Sequence, residues 1–328
     1  MKKFFLALAG ALLVALSLVG FTACDNGATN GKVTVYAPDG APALSIARLI
    51  SENTDLGKEM SYHIVGAEEI TTSVTYKDDS KNADLCILPV NAASKLLGNG
   101  TRYKMLGTVT HGNLFILASK DKEEITSENF ASALSGKKVG VMNLPGFPGA
   151  IFKLLISKYN VENVTPEGLS DISQVVGTQS EYDYFVVPEP AASVRVGNEN
   201  LNLKVVGSLQ SLYGDNGYPQ AVLVAKNSLI ESDPQFISKF MKAMDDNAKW
   251  LADESVESST ILAAVTSLYP TTSFNAKNLT KPVIANCAVR FTASADCKNA
   301  VINILAELKA AGDAAATAVT DDFFYIPQ

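Results

Sequence analysis

Short apolar runs alternate along the chain with longer stretches in which apolar residues recur every three or four positions. The first pattern predicts strands and the second amphipathic helices. From Lys32 onward, Val33–Tyr36 reads as a strand and Pro42 opens a helix through Ile50. Tyr62–Val65 and Asp84–Leu88 are further strands, the latter followed by a helix over Ala92–Leu97. Tyr103–Thr110 and Leu114–Ser119 are two strands joined by His111-Gly112-Asn113. Ser127 is placed as the N-cap of a short helix. Gly136–Met142 reads as turn and strand, and a helix leaves the Pro145–Pro148 turn and runs to Tyr159. Tyr182–Val187 is a strand and Pro190–Val196 a helix; Leu203–Val206 and Ala221–Ala225 are strands again. Beyond Pro234 the period is helical, over Phe236–Leu251, Val256–Leu268, Ala276–Ala285 and Ala293–Ala311. Strands alternating with helices predict an α/β fold of mostly parallel sheets covered by helices.

The first residues follow a different rule. Lys2 and Lys3 precede an apolar stretch from Phe4 to Val19, and small residues lead to Cys24. This is the layout of a secretory signal peptide over residues 1–23. The stretch is short for a membrane span, which needs ~20 apolar residues. Phe21-Thr22-Ala23-Cys24 resembles a bacterial lipobox, with Phe21 where leucine is usual. Cys24 is therefore the expected lipidation site and new N-terminus, and residues 24–31, polar and rich in Gly and Asn, a flexible tether. An ordinary signal peptide that contains a cysteine is the other reading. Either way the protein is expected to be exported; with the lipid it sits on the outer face of the cytoplasmic membrane, the periplasm or cell surface being the alternatives.

Composition narrows the classes. The 328 residues suit two domains behind the leader, and 47% hydrophobic content supplies their cores. The formal net charge of −7, without basic blocks, argues against a nucleic-acid partner. Cys86 lies in the apolar run Leu85–Leu88 and reads as a core residue. Cys287 and Cys297 are the pair open to a disulfide in an exported protein, although a helix from Ala293 onward would turn Cys297 away. Neither a CxxC nor a Cys/His cluster is present, so no metal or other cofactor is expected. With two histidines and no GxSxG elbow, no nucleophile and base are paired, and no catalytic residue is assigned. His63 and Trp250 read as structural.

Four junctions share a texture: Ala37–Pro42, Leu88–Asn91, Asn143–Phe147 and Val187–Pro190. Each is a strand end, then Pro or Gly, then a helix start. In open α/β sheets such ends converge on the ligand. Proline preorganises the first helical turn, glycine admits close approach, and the free N–H groups attract polar ligand atoms.

Six stretches carry a family resemblance: VYAPDGAPAL (Val35–Leu44), ADLCILPVNAASKL (Ala83–Leu96), GTVTHGNLFILASK (Gly107–Lys120), GKKVGVMNLPGFPG (Gly136–Gly149), YFVVPEPAAS (Tyr184–Ser193) and DDFFY (Asp321–Tyr325). Through them the chain resembles bacterial solute-binding proteins of the nitrate/sulfonate/taurine type, a superfamily that includes binders of thiamine pyrimidine precursors. The resemblance implies a two-lobed periplasmic-binding-protein type II fold. Residues 32–110 with 231–328 would form lobe one and residues 111–230 lobe two, hinged about a cleft. It implies a small polar or heteroaromatic solute and the permease of an ABC importer as partners, with the membrane reached through the lipid.

By position, the cleft residues would be Asp39, Gly40, Ala41, Asn91, His111, Asn113, Pro145, Gly146, Phe147 and Glu189. Tyr213 and Tyr218 flank a Gly-Asp-Asn-Gly loop from which they would stack on a ring. Glu189 is expected to repel a sulfonate or nitrate and to accept hydrogen bonds from an amine or aminopyrimidine. Its other reading is a solvated acid at a helix start. Two alternatives stand beside the binding protein. Menaquinone-pathway enzymes and pyrimidine synthases use the same fold, but the leader argues against the first and the cysteine-rich motif of the second is missing. A lipid-anchored surface interaction protein is the other.

Overall fold

Leu85, Cys86, Ile87 and Leu88 are all sealed from solvent, as a strand covered on both faces requires. The computed structural model that shows this describes residues 32–327; the leader, Cys24 and the tether lie outside the described residues. Strands β1 (Lys32–Pro38), β2 (Glu59–Val65), β3 (Leu85–Pro89) and β4 (Tyr103–Thr110) are followed by β5 (Leu114–Ser119), β6 (Lys138–Met142), β7 (Thr165–Leu169), β8 (Tyr184–Pro188) and β9 (Leu203–Ser208). Then come β10 (Ala221–Lys226) and β11 (Val289–Ala293).

They form a six-stranded sheet in the order β11-β4-β10-β3-β1-β2 and a five-stranded sheet in the order β7-β6-β8-β5-β9. Both sheets are mixed rather than mostly parallel. In the first, β1 runs parallel to β2 and β3, whereas β10 is antiparallel to β3 and β4. In the second, β6 is parallel to β7 and β8, while β5 is antiparallel to β8 and β9. Strand β10 belongs to the first sheet, so the chain returns to it at Ala221, before the boundary expected at residue 231. Apolar runs reveal strands but not their direction or partner, which is why both expectations missed.

Period-two alternation distributes side chains between three cores. On one face of the first sheet, Val35, Leu85, Ile87 and Leu223 pack against Phe240, Ile261 and Val265 of the later helices. Its other face contributes Cys86, Leu88, Met105 and Val224 to a cluster that continues through Leu114 and Tyr218 into the second sheet at Val139 and Val141. The outer face of the second sheet buries Phe115, Leu117, Phe185 and Val187. The chain crosses between sheets twice, at Thr110–Leu114 and at Ser208–Ala221. Both crossings depend on a glycine. Gly112 has φ 104° with Gln210 Cβ only 2.6 Å from where a Cβ would lie, and Gly217 has φ 67° with the His111 carbonyl 2.1 Å from that point.

Several local expectations shift. The helix expected over Pro42–Ile50 is two pieces, Ala41–Leu44 and Ala47–Ser51, with Ser45 Oγ donating to the Pro42 carbonyl at the break. The short helix begins at Phe130 rather than after Ser127; Asn129 holds the turn by accepting from Thr126 N at 2.8 Å. The helix of Ala276–Ala285 contracts to Lys281–Asn286, because Thr280 caps it and Asn275 and Asn278 close a separate turn. Two edge strands were not expected: β7 (Thr-Pro-Glu-Gly-Leu) carries no apolar alternation, and β11 (Val-Arg-Phe-Thr-Ala) alternates over only five residues between helical stretches.

Candidate functional site

The four junctions of strand and helix meet at a cavity of about 750 Å3. From the first sheet, Asp39, Gly40 and Ala41 follow β1, and Asn91 follows β3. From the second, Pro145, Gly146 and Phe147 follow β6, and Glu189 follows β8. Asn113, at the end of the first crossing, lines the floor.

Lining the cavity is not the same as being free to bind. Both carboxylate oxygens of Asp39 are occupied: Oδ1 accepts from Thr272 Oγ1 and Oδ2 from Ser273 N at 2.9 Å. Asn91 Nδ2 donates to Asp313 Oδ2 at 2.7 Å, while its Oδ1 accepts from Ala92 N. Glu189 is 4% exposed. Its Oε1 accepts from Ser193 Oγ at 2.7 Å and Asn286 Nδ2 at 2.8 Å, and its Oε2 accepts from Ser193 N at 3.1 Å. Its backbone N–H reaches the Asn113 carbonyl at 3.0 Å. Asn113 Oδ1 accepts from Gln220 Nε2 at 2.9 Å, and its Nδ2 has no partner among the described residues. Phe147 leans on Tyr218 with ring centroids 5.9 Å apart.

Three expected residues lie elsewhere. His111 faces a separate cavity of about 360 Å3 behind the crossing, beside Gly214, Asn216 and Arg290. Its Nε2 pairs with Thr108 Oγ1 at 2.9 Å, and its Nδ1 is buried without a partner. Burial, reinforced by the Arg290 charge, pulls its imidazole down to about 3, so it is neutral at physiological pH. Tyr213 and Tyr218 meet edge to face at 5.7 Å, and neither lines the cleft. Burial, with Glu307 at hand, pushes the Tyr213 phenol up. Tyr218 is fully buried and supports Phe147 from behind. A Gly-rich flank signals a turn, and here the turn serves the crossing rather than the ligand.

The cleft also holds residues with no visible local signal. Arg195 reaches it from the helix Ala191–Val196, with Nε and Nη2 on the Val175 carbonyl at 3.0 and 2.7 Å. Asn143, in a left-handed turn at φ 55°, and Gln220 also line it. Ser273, Asn275 and Asn278 arrive from a loop far along the chain. An asparagine in the Asn-Leu-Pro-Gly turn could have been singled out, since Asn tolerates that backbone region; the distant loop could not.

The three described cysteines carry no bridge. Cys86, Cys287 and Cys297 are free and buried, Cys287 in the core behind the first sheet and Cys297 in the core shared between the sheets. Cys297 lies on the helix Ser294–Ala310 and is not bonded to Cys287, in line with the helix expected from Ala293 onward. Burial pushes all three thiols up. His63 stacks on Tyr36 at 4.4 Å, and Trp250 packs against the first sheet's core.

No protein-family model matches the chain, and no curated protein does. Solved structures do match. An ABC transporter protein from Parabacteroides distasonis superimposes with a TM-score of 0.70 at 15% identity, covering 91% of this chain and 100% of that one. The periplasmic aliphatic sulphonate binding protein of Escherichia coli gives a TM-score of 0.64 at 11% identity, covering 91% and 93%. The ligand-binding component of an ABC-type import system from Staphylococcus aureus, solved with zinc bound, gives 0.57 at 13%, covering 90% and 96%. The chain has the fold of the periplasmic binding proteins.

Proposed function

We propose that the protein is the extracytoplasmic solute-binding component of an ABC importer. It is tethered by a lipid on Cys24 and delivers its solute to a membrane permease. The observation that carries this reading is the cavity where strand ends of two sheets converge. Its volume of about 750 Å3 lies in the range of sites for organic molecules. Its walls are turns and helix starts, and neither histidine nor any described cysteine lines it. A rotation about the crossings at Thr110–Leu114 and Ser208–Ala221 opens and closes the cleft between a first lobe, residues 32–110 and 221 onward, and a second lobe between them. Solute capture without turnover is favoured over the enzymes of this fold because the charged groups in the cleft are held by hydrogen bonds to the protein rather than paired for proton transfer.

Thermal unfolding of the purified protein against a solute panel tests the reading. A saturable rise in Tm with one chemical class is expected, corresponding to about 2.7 kcal/mol at a hundredfold excess over Kd. Absence of any shift across anions, amino acids, pyrimidines and vitamins, or a chemically altered ligand in the mass spectrum after incubation, would overturn it. Cys24→Ala is expected to move the protein from the membrane to the soluble fraction of its host.

A further inference from the structure

The cleft lining carries three charged side chains, Asp39, Glu189 and Arg195. All three are occupied by the protein. Asp39 is held by Thr272 and Ser273, Glu189 by Ser193 and Asn286, and Arg195 by the carbonyls of Val175 and Ser173. Two carboxylates against one guanidinium leave the lining electronegative, so an anion meets like charge there. A cation finds carboxylates whose oxygens already accept from the protein.

The rest of the wall is largely apolar. Pro38, Pro42 and Pro89 come from the first sheet's side, and Phe147, Pro148 and Pro188 from the second's. Two amide atoms of the buried and half-buried lining lack a partner among the described residues: Gln220 Oε1, which is itself sealed, and Nδ2 of Asn113, a residue 4% exposed whose Oδ1 is engaged by Gln220. The volume of about 750 Å3 suits a molecule of drug-like size, and a small oxyanion would fill little of it.

We infer that the solute of this cleft is an uncharged, predominantly apolar organic molecule with a hydrogen-bond acceptor for Asn113 Nδ2, and not an oxyanion of the sulfonate or nitrate kind. The inference rests on the solute-binding reading and narrows it. It replaces the role expected for Glu189, whose carboxylate serves the protein's own helix and the contact to Asn286.

Two fluorophores test it directly. N-phenyl-1-naphthylamine and 1-anilinonaphthalene-8-sulfonate share one aromatic skeleton and differ by the sulfonate. The purified protein is expected to bind the uncharged probe saturably, with a Kd at least about tenfold below that of the sulfonate. Ala92→Trp and Ala191→Trp, on opposite walls, are expected to abolish the signal while circular dichroism and Tm are retained. Coumarin, which adds a carbonyl acceptor, is expected to displace the uncharged probe. Asn113→Leu should weaken coumarin at least about fivefold and spare the probe, which also reports that the variant is folded. Equal or tighter binding of the sulfonate overturns the inference, as does a probe signal indifferent to both tryptophans. If sulfonates alone raise the Tm, the solute class is wrong and the binding protein stands. If no probe and no panel solute binds, both fall.

Discussion

Asn286 Nδ2 donates to Glu189 Oε1 at 2.8 Å, joining the helix Lys281–Asn286 of the first sheet's core to the end of β8 in the second sheet. The same oxygen accepts from Ser193 Oγ at 2.7 Å, so one carboxylate both holds the start of its own helix and bridges two halves of the molecule. Removing either donor leaves a nearly buried charge with fewer partners. Asn286→Ala and Ser193→Ala are each expected to lower the unfolding free energy by about 1–2 kcal/mol in urea titrations. Because the donors share an acceptor, the double variant should depart from the sum by more than about 0.5 kcal/mol. Strict additivity would show that the two bonds do not cooperate.

Asp39 has an analogous task at the rim. It holds Thr272 and Ser273, the first residues of the loop that brings Ser273, Asn275 and Asn278 to the cleft. Asp39→Ala is expected to cost about 1–2 kcal/mol and to make the loop the first site of limited proteolysis. A cleavage pattern identical to that of the parent would contradict this.

His111 makes stability depend on acid. Its folded value, near 3, lies below the ordinary 6.5, because burial and then Arg290 disfavour the imidazolium. The unfolded chain therefore takes up the proton first as pH falls. Stability is fully present above about pH 6.5 and is lost progressively toward about pH 3, with a slope approaching 1.4 kcal/mol per pH unit from this group. His63 is lowered in the same direction by burial and Lys32. Urea unfolding at pH 7, 6 and 5 is expected to show the decline, and His111→Gln to flatten it more than His63→Gln.

The hydroxyl of Tyr218 is buried without a partner, although the ring behind Phe147 is fully packed. Deleting the hydroxyl removes an unsatisfied group, whereas deleting the ring leaves a cavity. Tyr218→Phe is expected to be neutral or stabilising by up to about 1 kcal/mol, and Tyr218→Ala to destabilise by about 3–5 kcal/mol. A substantial loss in the phenylalanine variant would reveal a partner for the hydroxyl.

The three described cysteines are free thiols, Cys86 and Cys297 in the core shared between the sheets and Cys287 in the core behind the first sheet. A reducing agent should leave the Tm unchanged, and thiol-reactive reagents should label Cys86, Cys287 and Cys297 only after denaturation. Labelling blocked until reduction would indicate a bridge.

Much of this molecule is written locally. The runs at β3, β5, β8 and β10 announce themselves because a strand buried on both faces is apolar nearly throughout, and β1 and β4 do so through β-branched and aromatic residues. The turns at Asp39–Pro42, Asn91, Pro145–Phe147 and Glu189 were legible because proline and glycine at a strand end leave little choice of geometry, and these residues do line the cleft. Tertiary structure alone decided the rest. The mixed strand order, and the return of β10 to the first sheet, arise from pairing between segments that carry no mark of their partners. Ser273, Asn275 and Asn278 reach the cleft through the bonds of one loop to Asp39, a long-range contact that no local pattern encodes. His111 and Tyr218 sat at the right place in the chain, but tertiary contacts turned their side chains inward, His111 onto Thr108 and Tyr218 against Phe147 and Tyr213. Glu189 combines the two. Its position at a strand end was evident from the residues around it, and its occupation by Ser193 and Asn286 follows from a helix nearly a hundred residues later folding back against it.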